Sequence, residues 1–229
     1  NEAIEKPVVP PTLRQAVTEP FREFFSRRGV GRAILVLSFL LLYKLGDSMA
    51  TALSTTFYLR GLGFELTEIG LIAKNAALWP SIIGGIAGGL LIVKIGINRA
   101  LWLFGLVQLV TILGFAWLST VGNDRAALAA VIAFEYVGVG LGTAAFIGVI
   151  ARETNPAMAA TQFSLFTAVT AVPRTFISAT TGFLVEWLGW TDFFLFCTIM
   201  AVPGMLLLIW IAPFGDPRES SKVVSQVEP

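Results

Sequence analysis

Residues 42–64 read LYKLGDSMATALSTTFYLRGLGF, a run apolar enough to sit in lipid that nevertheless carries Lys44 and Asp47. Lys44, Asp47, Ser48, Thr51 and Thr55 fall at i, i+3, i+4, i+7 and i+11, which places them on one face of a helix. A charge at the centre of a spanning helix costs about 2.5–3.5 kcal/mol on insertion scales, so two left in lipid would cancel the gain from about ten leucines. Such residues persist where they pair or face a water-filled cavity, and there they mark substrate or proton paths. A static Lys44–Asp47 pair that only closes helix packing would also meet the charge. The Ser/Thr run extends the polar face beyond what a pair requires, which favours a wet interior.

Composition agrees with a membrane setting. Of 229 residues, 55% are hydrophobic and only 14% charged, where a soluble domain carries about 25% charged residues. The net charge of +1 points to no nucleic-acid partner. There is no histidine, which removes the commonest general base and metal ligand. The single cysteine, Cys197, lies in an apolar run and permits neither an intrachain disulfide nor a cysteine metal cluster. The chain opens at Asn1 without a signal peptide, so position 1 is expected to be a boundary rather than a native start.

Three regions follow from the pattern: 1–31, a linker and interfacial helix; 32–214, a membrane lobe; and 215–229, a polar tail. Residues 12–28 set Leu13, Ala16, Val17, Phe21, Phe24 and Phe25 against Arg14, Arg22, Glu23, Arg27 and Arg28. That is the signature of an amphipathic helix on the membrane–water boundary, with a break expected near Pro20. Six spans are then expected, since each needs about 20 largely apolar residues. They cover 32–58, 67–93, 100–119, 126–150, 159–184 and 192–212, with Pro203 expected to kink the last. Gly84, Gly85, Gly88 and Gly89 in the second span form a small-residue series that lets helices approach closely.

Loop charge sets the expected orientation. With the amino end inside, the inner side receives Lys6, Arg14, Arg22, Arg27, Arg28, Arg32, Lys94, Arg99, Arg152, Arg218 and Lys222, and the outer side only Arg60 and Arg125. Both termini are therefore expected in the cytoplasm. Lys44, Asp47, Lys74, Glu135 and Arg174 fall at membrane depth, in spans one, two, four and five. Those spans are expected to meet around an aqueous cavity, with three and six, which lack charge in their cores, facing lipid or packing outside. Asp47 and Glu135 are the carboxylates able to bind and release a proton there. Static interhelical salt bridges are the other reading of the same charges. Arg174 offers a planar fork to a ligand carboxylate, and Gln162, Ser164 and Thr167 are expected to donate hydrogen bonds to a polar ligand. No nucleophile–base pair is present, so an enzyme is not expected.

The loop after span two reads Gly89-x-x-x-Val93-Lys94-x-Gly96-x-Asn98-Arg99. It resembles the loop motif of the major facilitator superfamily, G-x-x-x-D-(R/K)-x-G-x-(R/K)-(R/K). Gly89, Lys94, Gly96 and Arg99 match, while Val93 and Asn98 depart. YKLGDSMATALSTTFYLRGLGF (43–64), FEYVGVGLGTAAF (134–146), ATQFSLFTAV (160–169) and FLVEWLGWTDFFLF (183–196) together resemble the AmpG muropeptide permeases over about residues 12–214. The likeness is to their second half, a connecting helix followed by helices seven to twelve.

What the resemblance implies is an all-α, six-helix lobe of a facilitator-superfamily transporter, preceded by a cytoplasmic amphipathic helix. It implies import of GlcNAc–anhydro-MurNAc and its peptides from periplasm to cytosol across the bacterial inner membrane. The import would be driven by the proton gradient without a cofactor, and would serve peptidoglycan recycling and β-lactamase induction. The amino-terminal lobe would be the partner, supplied by another chain or a missing segment. Asp47 and Glu135 match the family's membrane carboxylates and are carried over as proton-coupling groups. Lys44, Lys74, Gln162, Arg174, Thr51 and Thr167 are expected to contact substrate, and Gly89, Lys94, Gly96 and Arg99 to form the gating loop. Two alternatives stay open: a facilitator of another polar solute, such as a sugar or siderophore, and a non-transporting membrane scaffold.

Overall fold

The computed structural model describes residues 13–213, and the expected tails at 1–11 and 215–229 lie outside the described residues. Helix α1 (Leu13–Arg28) ends on Arg27 and Arg28, cations that suit the negative end of its dipole. It runs through Pro20 without the expected break. The first span, Val30–Gly61, is interrupted. It consists of α2 (Val30–Leu42), α3 (Leu45–Ala52), α4 (Ser54–Thr56) and a π-helical turn, Phe57–Gly61. Lys44 (φ −103°, ψ 11°) and Leu53 (φ −108°, ψ 5°) leave the helical region at the joints. Hydroxyls compete with the backbone ladder around the second joint: Thr51 Oγ1 donates to the Asp47 carbonyl at 2.8 Å and Ser54 Oγ to the Thr51 carbonyl at 3.0 Å.

The remaining spans are longer helices with defined starts and stops. In α5 (Leu66–Ile95), the Glu65 N–H donates to Glu68 Oε2 at 3.1 Å, closing the first turn. α6 (Ile97–Val121) follows after the single residue Gly96, whose φ of 84° is a conformation that side chains resist. α7 (Arg125–Glu153) is capped by Asp124, which accepts from the Ala127 N–H at 2.9 Å. A short 3₁₀ turn, Pro156–Met158, leads into α8 (Ala159–Leu188), then α9 (Trp190–Leu206) and α10 (Leu208–Ile211). The last span breaks at Leu207, one turn beyond Pro203. Among the described residues five helical segments are long and apolar enough to cross a membrane, and α8, bent by 41° between Ile177 and Ala179, makes a sixth.

Contacts across the ends show that the spans alternate in direction. At one end, Arg28 pairs with Glu153, Arg152 Nη1 donates to Asn98 Oδ1 and Arg152 Nη2 to the Ile211 carbonyl. At the other, Arg125 pairs with Glu68, Asn123 donates to the Leu62 carbonyl and Ser119 bonds Thr191. The apolar core divides the same way. One cluster gathers Phe24, Phe39, Tyr43, Phe104, Phe146 and Phe166, and the other Phe57, Tyr58, Phe115, Phe193 and Phe194.

One expectation about the packing needs correction, and the expected close approach at the glycines of α5 is found. α6, expected to face lipid or pack outside the cavity, packs against both α7 and α9 with Gln108 and Thr111 buried, and its Phe115 lines the cavity. Its polar groups find the interior because α9, not lipid, covers its other side. α5 leaves Leu71, Leu78, Trp79, Ile82, Ile83, Ile86, Leu90 and Val93 exposed. It meets the rest of the chain chiefly through α7, where glycines remove the side chains between the two backbones. A Cβ on Gly84 would stand 2.5 Å from the Val137 carbonyl oxygen, and one on Gly140 would stand 2.6 Å from the Gly85 nitrogen.

Candidate functional site

A cavity of about 650 Å³ opens between the broken first span, α5, α7 and α8, with Phe115 of α6 also lining it. The first span contributes Lys44, Asp47, Ser48, Thr51, Ser54, Thr55 and Tyr58, so the polar face legible at 44–55 lines one wall. α7 supplies Glu135, Tyr136 and Thr143; α8 supplies Thr167 and Thr170. The break at Lys44 matters chemically. It places the lysine at the amino-terminal cap of α3, one turn before Asp47 and level with Thr143 of α7.

The charges form a loose cluster. Lys44 Nζ lies 3.8 Å from Asp47 Oδ2 and 3.4 Å from Thr143 Oγ1, both long contacts for an ammonium with three donors. The Glu135 carboxyl faces Asp47 and the Thr111 hydroxyl, with Lys44 farther off. Glu135 is 2% exposed, and both its oxygens, like Asp47 Oδ1, are buried without a hydrogen-bond partner. Three carboxylate oxygens are thus buried without a partner, and the cation beside them is itself held only by long contacts.

The hydroxyls have a definite polarity. Thr51, Thr167 and Thr170 donate to the carbonyls of Asp47, Phe163 and Thr167 at 2.8, 2.8 and 2.7 Å. Their hydrogens are committed to their own helices, so toward a ligand these groups accept. This reverses the donor role expected of Thr167.

Not every expected site residue joins the cluster. Lys74 projects from the exposed face of α5, while its neighbour Ala73 lines the cavity; one residue of helix turns a side chain about 100° away. Gln162 is wholly buried elsewhere. Its Nε2 donates to the Pro20 carbonyl at 2.9 Å and to Glu23 Oε2 at 2.5 Å, and its Oε1 accepts from the Asn155 N–H at 2.7 Å. Its amide nitrogen bonds α1 and its oxygen bonds Asn155, so it clasps α1 and lies outside the cavity lining. Position 174 lies in α8, but the Arg174 side chain is outside the described residues.

In the loop motif, Gly96 makes the turn, Lys94 and Arg99 are exposed, and Gly89 faces open space. Asn98, which departs from the motif, accepts from Arg152 at 2.8 Å, where a basic residue would oppose a second cation. Tyr58, Tyr136 and Thr143 were missed from the sequence because a lone Tyr or Thr in an apolar run carries no charge to mark it. Among the described residues no cluster of His, Cys, Asp and Glu could hold a metal.

No protein-family model matches the chain. An uncharacterized protein of Haemophilus influenzae is 49% identical over 92% of this chain and 51% of its own length. The anhydromuropeptide permease of Escherichia coli strain K12 is 40% identical over 88% of this chain and 40% of its own length. A Rickettsia felis protein named provisionally as the transporter AmpG 4 is 33% identical over 86% of this chain and 46% of its own length. The chain spans about half the length of the curated relatives it matches. Over the stretch it shares with them, the chain is AmpG-like, similar to proteins named as permeases and transporters.

Proposed function

We propose that this chain forms the carboxyl-terminal six-helix lobe of a facilitator-superfamily permease. It would import anhydro-muropeptides into the cytosol with protons, by alternating access, across a bacterial inner membrane. Both termini would lie in the cytoplasm, and the cavity would be completed by an amino-terminal lobe. The observation that carries this reading is the Lys44–Asp47–Glu135 cluster open to a hydroxyl-lined cavity, in a chain whose relatives include an anhydromuropeptide permease. Proton-coupled carriers place ionisable side chains in such intramembrane cavities. Lys44 suits the carboxylates of a muropeptide. The accepting hydroxyls of Thr51, Thr167 and Thr170 suit its sugar O–H and amide N–H donors. The imported product would feed peptidoglycan recycling and, through it, β-lactamase induction.

The test is uptake of labelled GlcNAc–anhydro-MurNAc peptide in a whole transporter carrying this segment. Asp47→Asn is expected to reduce proton-driven uptake at least tenfold, with the protein still in the membrane. Normal uptake would remove Asp47 from the mechanism. Competition by an unrelated sugar or siderophore, but not by muropeptide, would instead favour a different polar solute.

A further inference from the structure

Helix α1 has two unlike faces, and the lobe covers only one of them. Its aromatic stripe packs inward: Phe24 is fully buried against Phe166 of α8, and Phe21 meets the same ring. Of its described apolar side chains only Val17 is exposed, which leaves little to sink into a bilayer by the hydrophobic effect. The other face is exposed and basic, with Arg14, Thr18 and Arg22 at i, i+4 and i+8. Bonds from Arg27 to the Glu153 carbonyl and from Gln162 to the Pro20 carbonyl lay α1 across the ends of α7 and α8. The single residue Gly29 joins it to the first span. Arg32 follows in that span's first turn, exposed between exposed Val30 and Ile34. Among the described residues Arg14, Arg22 and Arg32 make no ion pair, whereas Arg27 and Arg28 are paired with Glu23 and Glu153.

We propose that anionic phospholipid headgroups bind along the exposed face of α1, held by Arg14, Arg22 and Arg32, and that they keep α1 seated across the ends of α7 and α8. The two ends of the lobe differ in charge as this requires. On the α1 side the exposed cations Arg14, Arg22, Arg32, Lys94 and Arg99 stand against one exposed acid among the described residues, Glu19. At the other end the exposed acids Glu65, Asp124, Glu186 and Asp192 outnumber Arg60 and Arg125. Where the first span begins, the bilayer supplies a layer of phosphates, and a guanidinium matches a phosphate with two parallel hydrogen bonds. A zwitterionic headgroup brings its own cation and cancels much of the attraction, so the contact selects lipids with net negative charge. Thr18 adds no donor, because its hydroxyl donates to the Arg14 carbonyl at 2.9 Å. Each basic side chain near an anionic surface strengthens attachment about fivefold, and the attraction fades within a Debye length. With its apolar stripe already on protein, α1 reads the charge of the leaflet and not its depth. Nothing in the contact depends on the solute carried.

The experiment is hydrogen exchange of the α1 amides in a whole transporter carrying this segment, in nanodiscs of phosphatidylcholine with and without phosphatidylglycerol. Phosphatidylglycerol is expected to slow exchange across α1 about tenfold, and to leave the first turn of α7, at the opposite end, unchanged. The ratio between the two lipids should shrink as salt screens the exposed charges. It should hold from about pH 6 to 8, because guanidinium stays charged throughout. With Arg14→Gln, Arg22→Gln and Arg32→Gln combined, the two lipids should give equal exchange. Equal exchange in the wild type, a comparison that needs no variant, would overturn the lipid contact. So would a phosphatidylglycerol effect that survives the triple substitution. Slowing by inorganic phosphate in phosphatidylcholine would assign the arginines to free phosphate instead. Arginine-dependent protection in phosphatidylcholine alone would assign them to an acidic surface of the amino-terminal lobe, and either result removes the lipid from α1.

Discussion

Gly46 sits between the two charged residues of the first span and turns its back on α9. A Cβ there would collide with the Cys197 carbonyl oxygen and stand 2.7 Å from Ala201 Cβ, contacts that backbone cannot relieve by changing a rotamer. The facing helix has its own gap, for a Cβ on Gly204 would lie 2.6 Å from the Leu42 carbonyl oxygen. Together they let the broken span lie against α9, and Tyr43 pins the same turn by donating to the Leu101 carbonyl at 2.9 Å. Gly46→Val is expected to destabilise by about 1–3 kcal/mol through overpacking, read as a fall of several degrees in the Tm of purified protein. Gly182→Ala, where a Cβ meets open space, should leave the Tm level or slightly higher. Asp47 and Glu135 were legible from sequence because a charge in an oily run is costly wherever it faces. Lys74 and Gln162 lie apart from the cluster for the converse reason. Which side of a helix meets which neighbour is set by packing, so Ala73 enters the cavity and Lys74 does not.

At the scale of elements, α1 is held to the lobe by a polar clasp that no sequence pattern announces, because its partners lie more than a hundred residues apart. Glu23 accepts from Asn155 Nδ2 at 2.7 Å and from Gln162, and pairs with Arg27 at 2.9 Å. Arg27 Nη2 donates to the Glu153 carbonyl at 2.7 Å, and Phe24 packs on Phe166 with ring centroids 4.8 Å apart. Burial alone would push the Glu23 carboxyl up, but the hydrogen bonds from Asn155, Gln162 and Arg27 outweigh it and hold the group below the ordinary value of 4.5. The sign follows. A carboxyl lowered in the folded state adds stability that is full above its unfolded value and is lost as pH falls through the folded one. Acidification from pH 6 to below 4 should therefore loosen α1. Hydrogen exchange of the α1 amides, compared between wild type and Glu23→Gln at each pH, is expected to differ at pH 6 and converge at low pH. A constant difference would mean that the clasp does not depend on ionisation.

For the whole molecule, alternation of the spans fixes which loops share a side, and loop charge supports the proposed orientation. Asn98, Arg152 and Ile211 meet at one end, and Leu62, Asn123 and Arg125 lie at the other, as six crossings require. The proposed orientation puts the amino and carboxyl ends of the chain in the cytoplasm. That choice rests on Lys94, Arg99 and Arg152 crowding one end against Arg60 and Arg125 at the other. The single cysteine, Cys197, is buried in α9, so introduced thiols can be read against a quiet background. Ala126 and Ala157 are exposed at opposite ends. In intact cells with a permeabilised outer membrane, a membrane-impermeant maleimide is expected to label Ala126→Cys and to spare Ala157→Cys until the inner membrane is opened. The reverse pattern would invert the orientation while leaving the fold intact. Labelling of both in intact cells would break the six-crossing topology itself, since positions 126 and 157 would then share a side although the single passage α7 lies between them.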